Sequence, residues 1–262
     1  MGKNKANLHQ AKANSVERFK MSYFELKNVV RRFGGLIAVN NISAAIEEGE
    51  IFGLIGPNGS GKTTLFNCIN NYYPANSGEI IFKGVPIERM STHKICEMGI
   101  GRTFQVVKPL KRLTVLENVM SGAFLRTNKV RVARDKAMKA LDFCQLTERK
   151  DFLAKDLPVA DKKRMEVARA MATEPSLLLL DETAAGLNPK EIETIMGIVR
   201  KIRDSGTTCI VVEHVMKFIM GISDRVMCIN FGQKIAIGKP EEIAAHPEVI
   251  KAYLGEEYVT DR

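Results

Sequence analysis

The sequence has no tryptophan and neither an RNA-binding nor a zinc-finger pattern. Its net charge of +9 therefore comes without a nucleic-acid motif, and a solvated basic surface is favoured over binding to nucleic acid or anionic lipid. Apolar runs are short, and none approaches the roughly 18 residues that a membrane helix needs. The first twenty residues lack the apolar segment of a secretory signal. These two absences predict a cytoplasmic location and leave a membrane-bound partner open. Cysteines are few. Cys68, Cys96, Cys144, Cys209 and Cys228 are odd in number, scattered and never in C-x-x-C spacing, which favours reduced core thiols over a disulfide framework or a zinc site. No internal repeat is evident.

What is present suits a large folded unit. A chain of 262 residues, 45% of them hydrophobic, is enough for one large α/β domain or a domain with a smaller lobe. Much of the basic excess sits in a polar stretch where Lys3, Lys5, Lys12, Arg18 and Lys20 face only Glu17. Residues 1–21 therefore read as a mobile basic extension ahead of a folded domain over 22–262. Met21 opens the better-patterned part and is a candidate start site.

Strand patterns cover Phe24–Val30, Ile42–Glu47 and Glu50–Ile55, punctuated by Gly34-Gly35 and Glu48-Gly49. A helix is predicted from Lys62 to about Asn70. Glu79–Phe82 reads as a strand, followed by a turn at Gly84 and Pro86. The middle is rich in Lys, Arg, Leu, Met and Ala and predicts a helical subdomain over about 106–173. It includes an amphipathic helix at Val130–Gln145 and another from about Pro158 to Thr173. Leu177–Leu180 is an all-apolar strand of the kind buried on both faces in a parallel sheet. Asn188, Pro189 and Glu191 supply an N-cap, a first-turn proline and an acid at the third position of a helix running to about Ser205. Thr207–Val212 is a second buried strand, and Val226–Ile229 with Lys234–Ile237 forms a hairpin before a final short helix. Strand–helix alternation implies a parallel sheet with crossover helices.

The stretch Gly56-Pro57-Asn58-Gly59-Ser60-Gly61-Lys62-Thr63 matches G-x-x-x-x-G-K-[ST] in full, after a strand and before a helix. Glycines let the backbone wrap closely around phosphate oxygens, and the helix directs its positive end at them. Lys62 adds a full charge, Thr63 a hydroxyl for magnesium, and Thr64 continues the phosphate-binding turn. ATP with Mg2+ is the expected ligand. Asp181 and Glu182 end a buried strand, where parallel sheets present ligand groups. Asp181 suits the magnesium shell and Glu182 a general base acting on water. His214, after the next buried strand, can contact the γ-phosphate and hold water and Glu182 in line. Gln105, in Arg102-Thr103-Phe104-Gln105, is a neutral side chain able to reach magnesium or the lytic water; on its own, a structural role would be favoured for it.

These pieces in this order resemble the ATP-binding cassette (ABC) ATPases over about residues 23–255. The resemblance implies an α/β P-loop fold with a parallel-sheet core, an N-terminal antiparallel sheet and a helical subdomain. It makes Gly56–Thr63 the Walker A loop, Leu177–Glu182 the Walker B strand, Gln105 the Q-loop and His214 the switch histidine. It also implies that Phe33 stacks on adenine with Val39 beside it. Arg32-Phe33-Gly34-Gly35-Leu36, Ala184-Ala185-Gly186-Leu187-Asn188-Pro189, Glu213-His214-Val215-Met216 and Ala252-Tyr253-Leu254-Gly255-Glu256 are similar to the ATPase subunits of branched-chain amino acid importers. The lipopolysaccharide exporter's ATPase is a close relative in pattern.

One stretch departs from the family. Its L-S-G-G-Q signature aligns with Leu157-Pro158-Val159-Ala160-Asp161. Pro158 has neither hydroxyl nor N–H, Val159 and Ala160 add bulk, and Asp161 carries a negative charge toward the partner's phosphate unless Lys162 or Lys163 offsets it. Two readings stay open: an asymmetric dimer with a slow second site, or a variant in which backbone N–H groups suffice. The resemblance then implies ATP hydrolysis driving import of branched-chain or other hydrophobic amino acids. Its expected partners are a second ATPase subunit (a heterodimer being favoured), membrane permease subunits with Val106–Glu117 by the docking groove, and a solute-binding protein. The chain would sit on the cytoplasmic face of the membrane through the permeases. Alternatives are a degenerate regulatory subunit, a lipopolysaccharide-export ATPase, and a non-transport ATPase on nucleic acid or ribosomes.

Overall fold

The computed structural model describes residues 22–254. The basic extension over 1–21, with Met21, and Gly255-Glu256 lie outside the described residues. Strands β1 (Phe24–Phe33) and β2 (Leu36–Ile46) form a hairpin around Gly34-Gly35, with Gly34 at φ +57. Strand β3 (Ile51–Ile55) runs into the glycine loop and helix α1 (Lys62–Ile69). There follow β4 (Ser77–Phe82), β5 (Val85–Pro86), α2 (Thr92–Glu97) and β6 (Ile100–Arg102). The Lys- and Arg-rich middle folds into α3 (Val115–Ala123), α4 (Val130–Phe143) and α5 (Val159–Met171). Then come β7 (Leu177–Asp181), α6 (Pro189–Asp204), β8 (Thr208–Val212), α7 (Met216–Ile222), β9 (Arg225–Asn230), β10 (Gln233–Gly238), α8 (Pro240–Ala244) and α9 (Pro247–Leu254).

A four-stranded antiparallel sheet has the order β2-β1-β4-β5, and a six-stranded sheet has the order β10-β9-β3-β8-β7-β6. In the second sheet every pairing is parallel except β9 with β10. Its continuous apolar strands reflect burial on both faces. Leu177 and Leu179 enter one core and Leu178 and Leu180 the other; Ile51 and Ile55 likewise part from Phe52 and Leu54. Side chains alternate along a strand, so each face needs its own cover. The antiparallel sheet and α1 cover one face, while α6, α7 and the α3–α5 group cover the other. All the parallel strands run the same way. The carboxyl ends of β3, β6, β7 and β8 therefore emerge at one edge, where such sheets bind ligands.

Local signals act as the sequence predicts. Asn188 caps α6 through its side chain with Glu191 completing the capping box and Pro189 in the first turn. Thr114 and Glu117 form a second capping box at α3. Other features escaped periodicity. Strand β6 has three residues, one a glycine and one an arginine, which is too short to show alternation. Helices α2 and α7 span six and seven residues and carry no long pattern. Pro86 lies in a short edge strand rather than only a turn, and the final helix is two helices. All five cysteines are unpaired; four are buried and Cys96 is partly buried.

Candidate functional site

Strand β3 delivers the chain into a loop whose glycines are required by space. A Cβ on Gly56 would lie 2.1 Å from the Ile229 carbonyl oxygen, and one on Gly61 2.2 Å from that of Ala38. Gly61 also sits at φ +104 and serves as N-cap of α1 with no side-chain cap. No acidic residue occupies the first turn of α1, so its positive end stays uncompensated. The Ser60 N–H donates to Pro57 O at 3.1 Å. The Lys62 ammonium donates to Gly56 O at 2.7 Å and Pro57 O at 3.0 Å, which folds it over the loop. Burial lowers its pKa, opposed by the charges of Glu182, Cys228 and Asp181. Thr63 is exposed and Thr64 partly buried.

At the end of β7 the two acids diverge. Asp181 is 1% exposed, its Oδ2 accepts from Arg102 at 3.0 Å, and its Oδ1 is buried without a partner. Burial raises its pKa, with Arg102 opposing. Glu182 takes φ +48, an uncommon conformation for a non-glycine residue, which turns its side chain off the strand's path. The Gln105 amide donates to Glu182 Oε2 at 2.7 Å, and His214 Nδ1 stands 3.9 Å from the same oxygen. The structure thus brings Gln105, Glu182 and His214 together from the ends of three strands.

Residues not assigned a role beside Glu182 from the sequence hold this group in place. Lys163 on α5 is buried and donates to the Glu182 carbonyl at 2.6 Å. Its signal was positional, since Ala160, Lys163, Val167 and Ala170 share the buried stripe of α5. Glu213 is fully buried, and its Oε1 accepts from the Ala184 N–H at 2.7 Å and the Thr183 hydroxyl at 3.3 Å. Thr183 therefore has a partner for its hydroxyl. Burial raises the Glu213 pKa against the Ala184 hydrogen bond. Arg102 also donates to Asn67 Oδ1 at 2.8 Å, tying β7 to α1.

The remaining candidates sit in different surroundings. Phe33 is 39% exposed, with the Arg31 guanidinium 4.5 Å from its ring centre and Tyr73 edge-on at 5.4 Å. Val39, by contrast, is fully buried in the core beneath the antiparallel sheet. Asp161 is offset by neither Lys162 nor Lys163. Its carboxylate pairs with Arg164 one turn on and with Arg149 at 3.7 Å, because Lys163 points to Glu182. Pro158 is the N-cap of α5 without a side-chain hydrogen bond, Val159 is exposed, and Ala160 and Asp161 are buried.

Among the described residues, no group of three His, Cys, Asp or Glu could hold a metal. The donors that fit magnesium are instead the unpartnered Asp181 Oδ1, the Thr63 hydroxyl and Gln105, a mixed oxygen set that a phosphate would complete.

Comparison with known proteins gives one consistent answer. A family described as "ABC transporter" matches residues 39–185, and one described as "Branched-chain amino acid ATP-binding cassette transporter" matches residues 233–259. The high-affinity branched-chain amino acid transport ATP-binding protein LivG of Salmonella typhimurium is 42% identical over 247 residues, covering 88% of this chain and 97% of its own. The lipopolysaccharide export system ATP-binding protein LptB of Escherichia coli is 31% identical over 239 residues, covering 91% and 99%. The ADP conformation of MJ1267, an ATP-binding cassette of an ABC transporter, superposes with a TM-score of 0.82 at 30% identity, covering 90% of this chain and all of that one.

Proposed function

The chain belongs to the ATP-binding cassettes of ABC transporters, and from that premise we propose that its ATP hydrolysis drives uptake of branched-chain amino acids. The observation that carries the reading is the meeting of Gln105 and His214 at the Glu182 carboxylate, on the sheet edge where the Gly56–Thr63 loop begins. In this reading the loop N–H groups and Lys62 hold the triphosphate, and Phe33 stacks on the base. Thr63, Gln105 and Asp181 would hold magnesium, which would supply charge neutralisation for the triphosphate. Glu182 takes the proton of the attacking water, and Gln105 and His214 orient that water and the carboxylate. The loop between β6 and α3 supports the coupling role: Phe104, Val106 and Leu110 are exposed apolar residues around Gln105, and the permease subunits would dock there. No helix of the described residues is long and apolar enough to cross a membrane, so attachment to the cytoplasmic face would come through those permeases. A solute-binding protein would complete the system.

A second reading concerns the dimer. Pro158 lacks the hydroxyl of the family signature, which supports a heterodimer in which a partner supplies the better signature. The pairing of Asp161 with Arg164 and Arg149 supports the other view, in which backbone N–H groups suffice. The test of the main proposal is reconstitution with the permeases and binding protein in liposomes. ATPase activity should be stimulated by branched-chain amino acids and lost in Lys62→Ala. Turnover that survives Lys62→Ala, or stimulation by lipopolysaccharide instead, would overturn it.

A further inference from the structure

The phosphate loop is gripped from the far end of the chain. The Gly56 N–H donates to the Tyr253 hydroxyl oxygen at 2.7 Å, across 197 residues of sequence. Gly56 lies just past the last residue of β3, at the elbow where the strand becomes the loop. Three contacts fix that elbow. Tyr253 takes the N–H, Lys62 donates to the carbonyl at 2.7 Å, and the Ile229 carbonyl of β9 leaves no room for a Cβ. Tyr253 belongs to α9, which is anchored by Val249 in the same core as β9. Burial pushes the Tyr253 phenol up to about 12, so the hydroxyl stays neutral and its oxygen keeps accepting at physiological pH.

We propose that Tyr253 is a positioning residue for nucleotide binding, and that α9 is thereby a working part of the phosphate site. The physical reason is the backbone requirement of the loop. A buried N–H must find an acceptor, and Gly56 can turn toward another one only by rotating the peptide that begins the phosphate cradle. With Tyr253 in place, the cradle is held in its binding shape before nucleotide arrives. Without the hydroxyl, the loop relaxes to satisfy Gly56 elsewhere, and only a fraction of molecules remains competent. The apparent dissociation constant then rises by the inverse of that fraction. Gln105, Glu182 and His214 stand past the ends of other strands. The effect therefore falls on binding and not on the chemical step.

The inference rests on Gly56–Thr63 being the phosphate loop, and the experiment separates the two. In the full chain, Tyr253→Phe removes one oxygen and keeps the ring. The dissociation constants of a fluorescent ATP analogue and of ADP are expected to rise about 5- to 10-fold. KM for ATP should rise in parallel, with kcat at saturating ATP within about twofold. Amide exchange of Gly56 should be slow in the parent and fast in the variant. If Lys62→Ala abolishes nucleotide binding while Tyr253→Phe leaves it within twofold, this inference is overturned alone. A fall in kcat at unchanged affinity overturns it too, as does fast Gly56 exchange in the parent. Nucleotide binding that survives Lys62→Ala removes the phosphate-loop reading and this inference with it.

Discussion

Arg102 and Asp181 form a buried ion pair, Nη2 to Oδ2 at 3.0 Å, with side chains 7% and 1% exposed. The arginine stands between the rings of Phe66 and Phe104 and reaches Asn67 on α1. It leaves Asp181 Oδ1 buried without a hydrogen bond, so one oxygen of the carboxylate is held and the other is not. Removing one member of such a pair strands the other charge in the interior. Arg102→Met is expected to cost about 3–5 kcal/mol of folding stability, measured by urea denaturation of the purified chain. A loss below about 1 kcal/mol would show that the pair is exposed in solution.

Glu182→Gln keeps an amide oxygen where Glu182 Oε2 now accepts from Gln105. The geometry should survive while the base is lost. Turnover is expected to fall by about 10²–10⁴-fold, with ATP affinity within a fewfold of the parent, as read by steady-state ATPase and nucleotide titration. In an asymmetric dimer the matching change in the partner would matter less. Equal losses from the two changes would reject the asymmetry.

Asp161 stands in the stretch that the family resemblance aligns with the signature, and its carboxylate pairs with Arg164 and Arg149. Asp161→Ala would leave the partly buried Arg164 without its carboxylate. The expected result is a loss of roughly 1–2 kcal/mol in stability and no gain in ATPase rate. A clear rise in hydrolysis would instead mean that the carboxylate repels nucleotide across the dimer.

Glu166 is buried on α5, where it accepts from the Phe104 N–H at 3.2 Å and pairs with Arg169 at 3.4 Å. Burial pushes its pKa up to about 7 from an ordinary 4.5. Between those values the folded chain holds a proton that the unfolded chain has released, so this group makes stability fall as pH rises through the window. Glu166→Gln keeps an acceptor for Phe104 and removes the titration. The variant should show a flatter profile from about pH 4.5 to 7 and be more stable than the parent above pH 7, by roughly 1–3 kcal/mol. Thermal melts across that range would decide it, and parallel profiles for the two proteins would refute it.

Much of this architecture was legible in the chain because its signals are local. A four-leucine run names a strand buried on both faces, Asn188-Pro189-Lys190-Glu191 names a helix start, and Gly56–Thr63 reads as a phosphate loop from its glycines, its Lys62 and Thr63, and its place between a strand and a helix. The order of motifs in the chain marks Gln105, Glu182 and His214 without reference to tertiary contacts. Strand β6 and helices α2 and α7 were not legible, since a few residues without alternation are held by the neighbours they pair with.

By itself, the sequence determined the class of fold, the ligand and the chemically able side chains, because those depend on residue type and short-range spacing. Tertiary structure alone decided who partners whom. It sent Lys163 to the Glu182 carbonyl rather than to Asp161, set Arg102 against Asp181, and brought Tyr253 to Gly56. Each of these pairs is separated by many residues in the chain. Burial makes an unpaired charge or N–H costly, and which distant group meets that need is settled only when the sheets and helices pack.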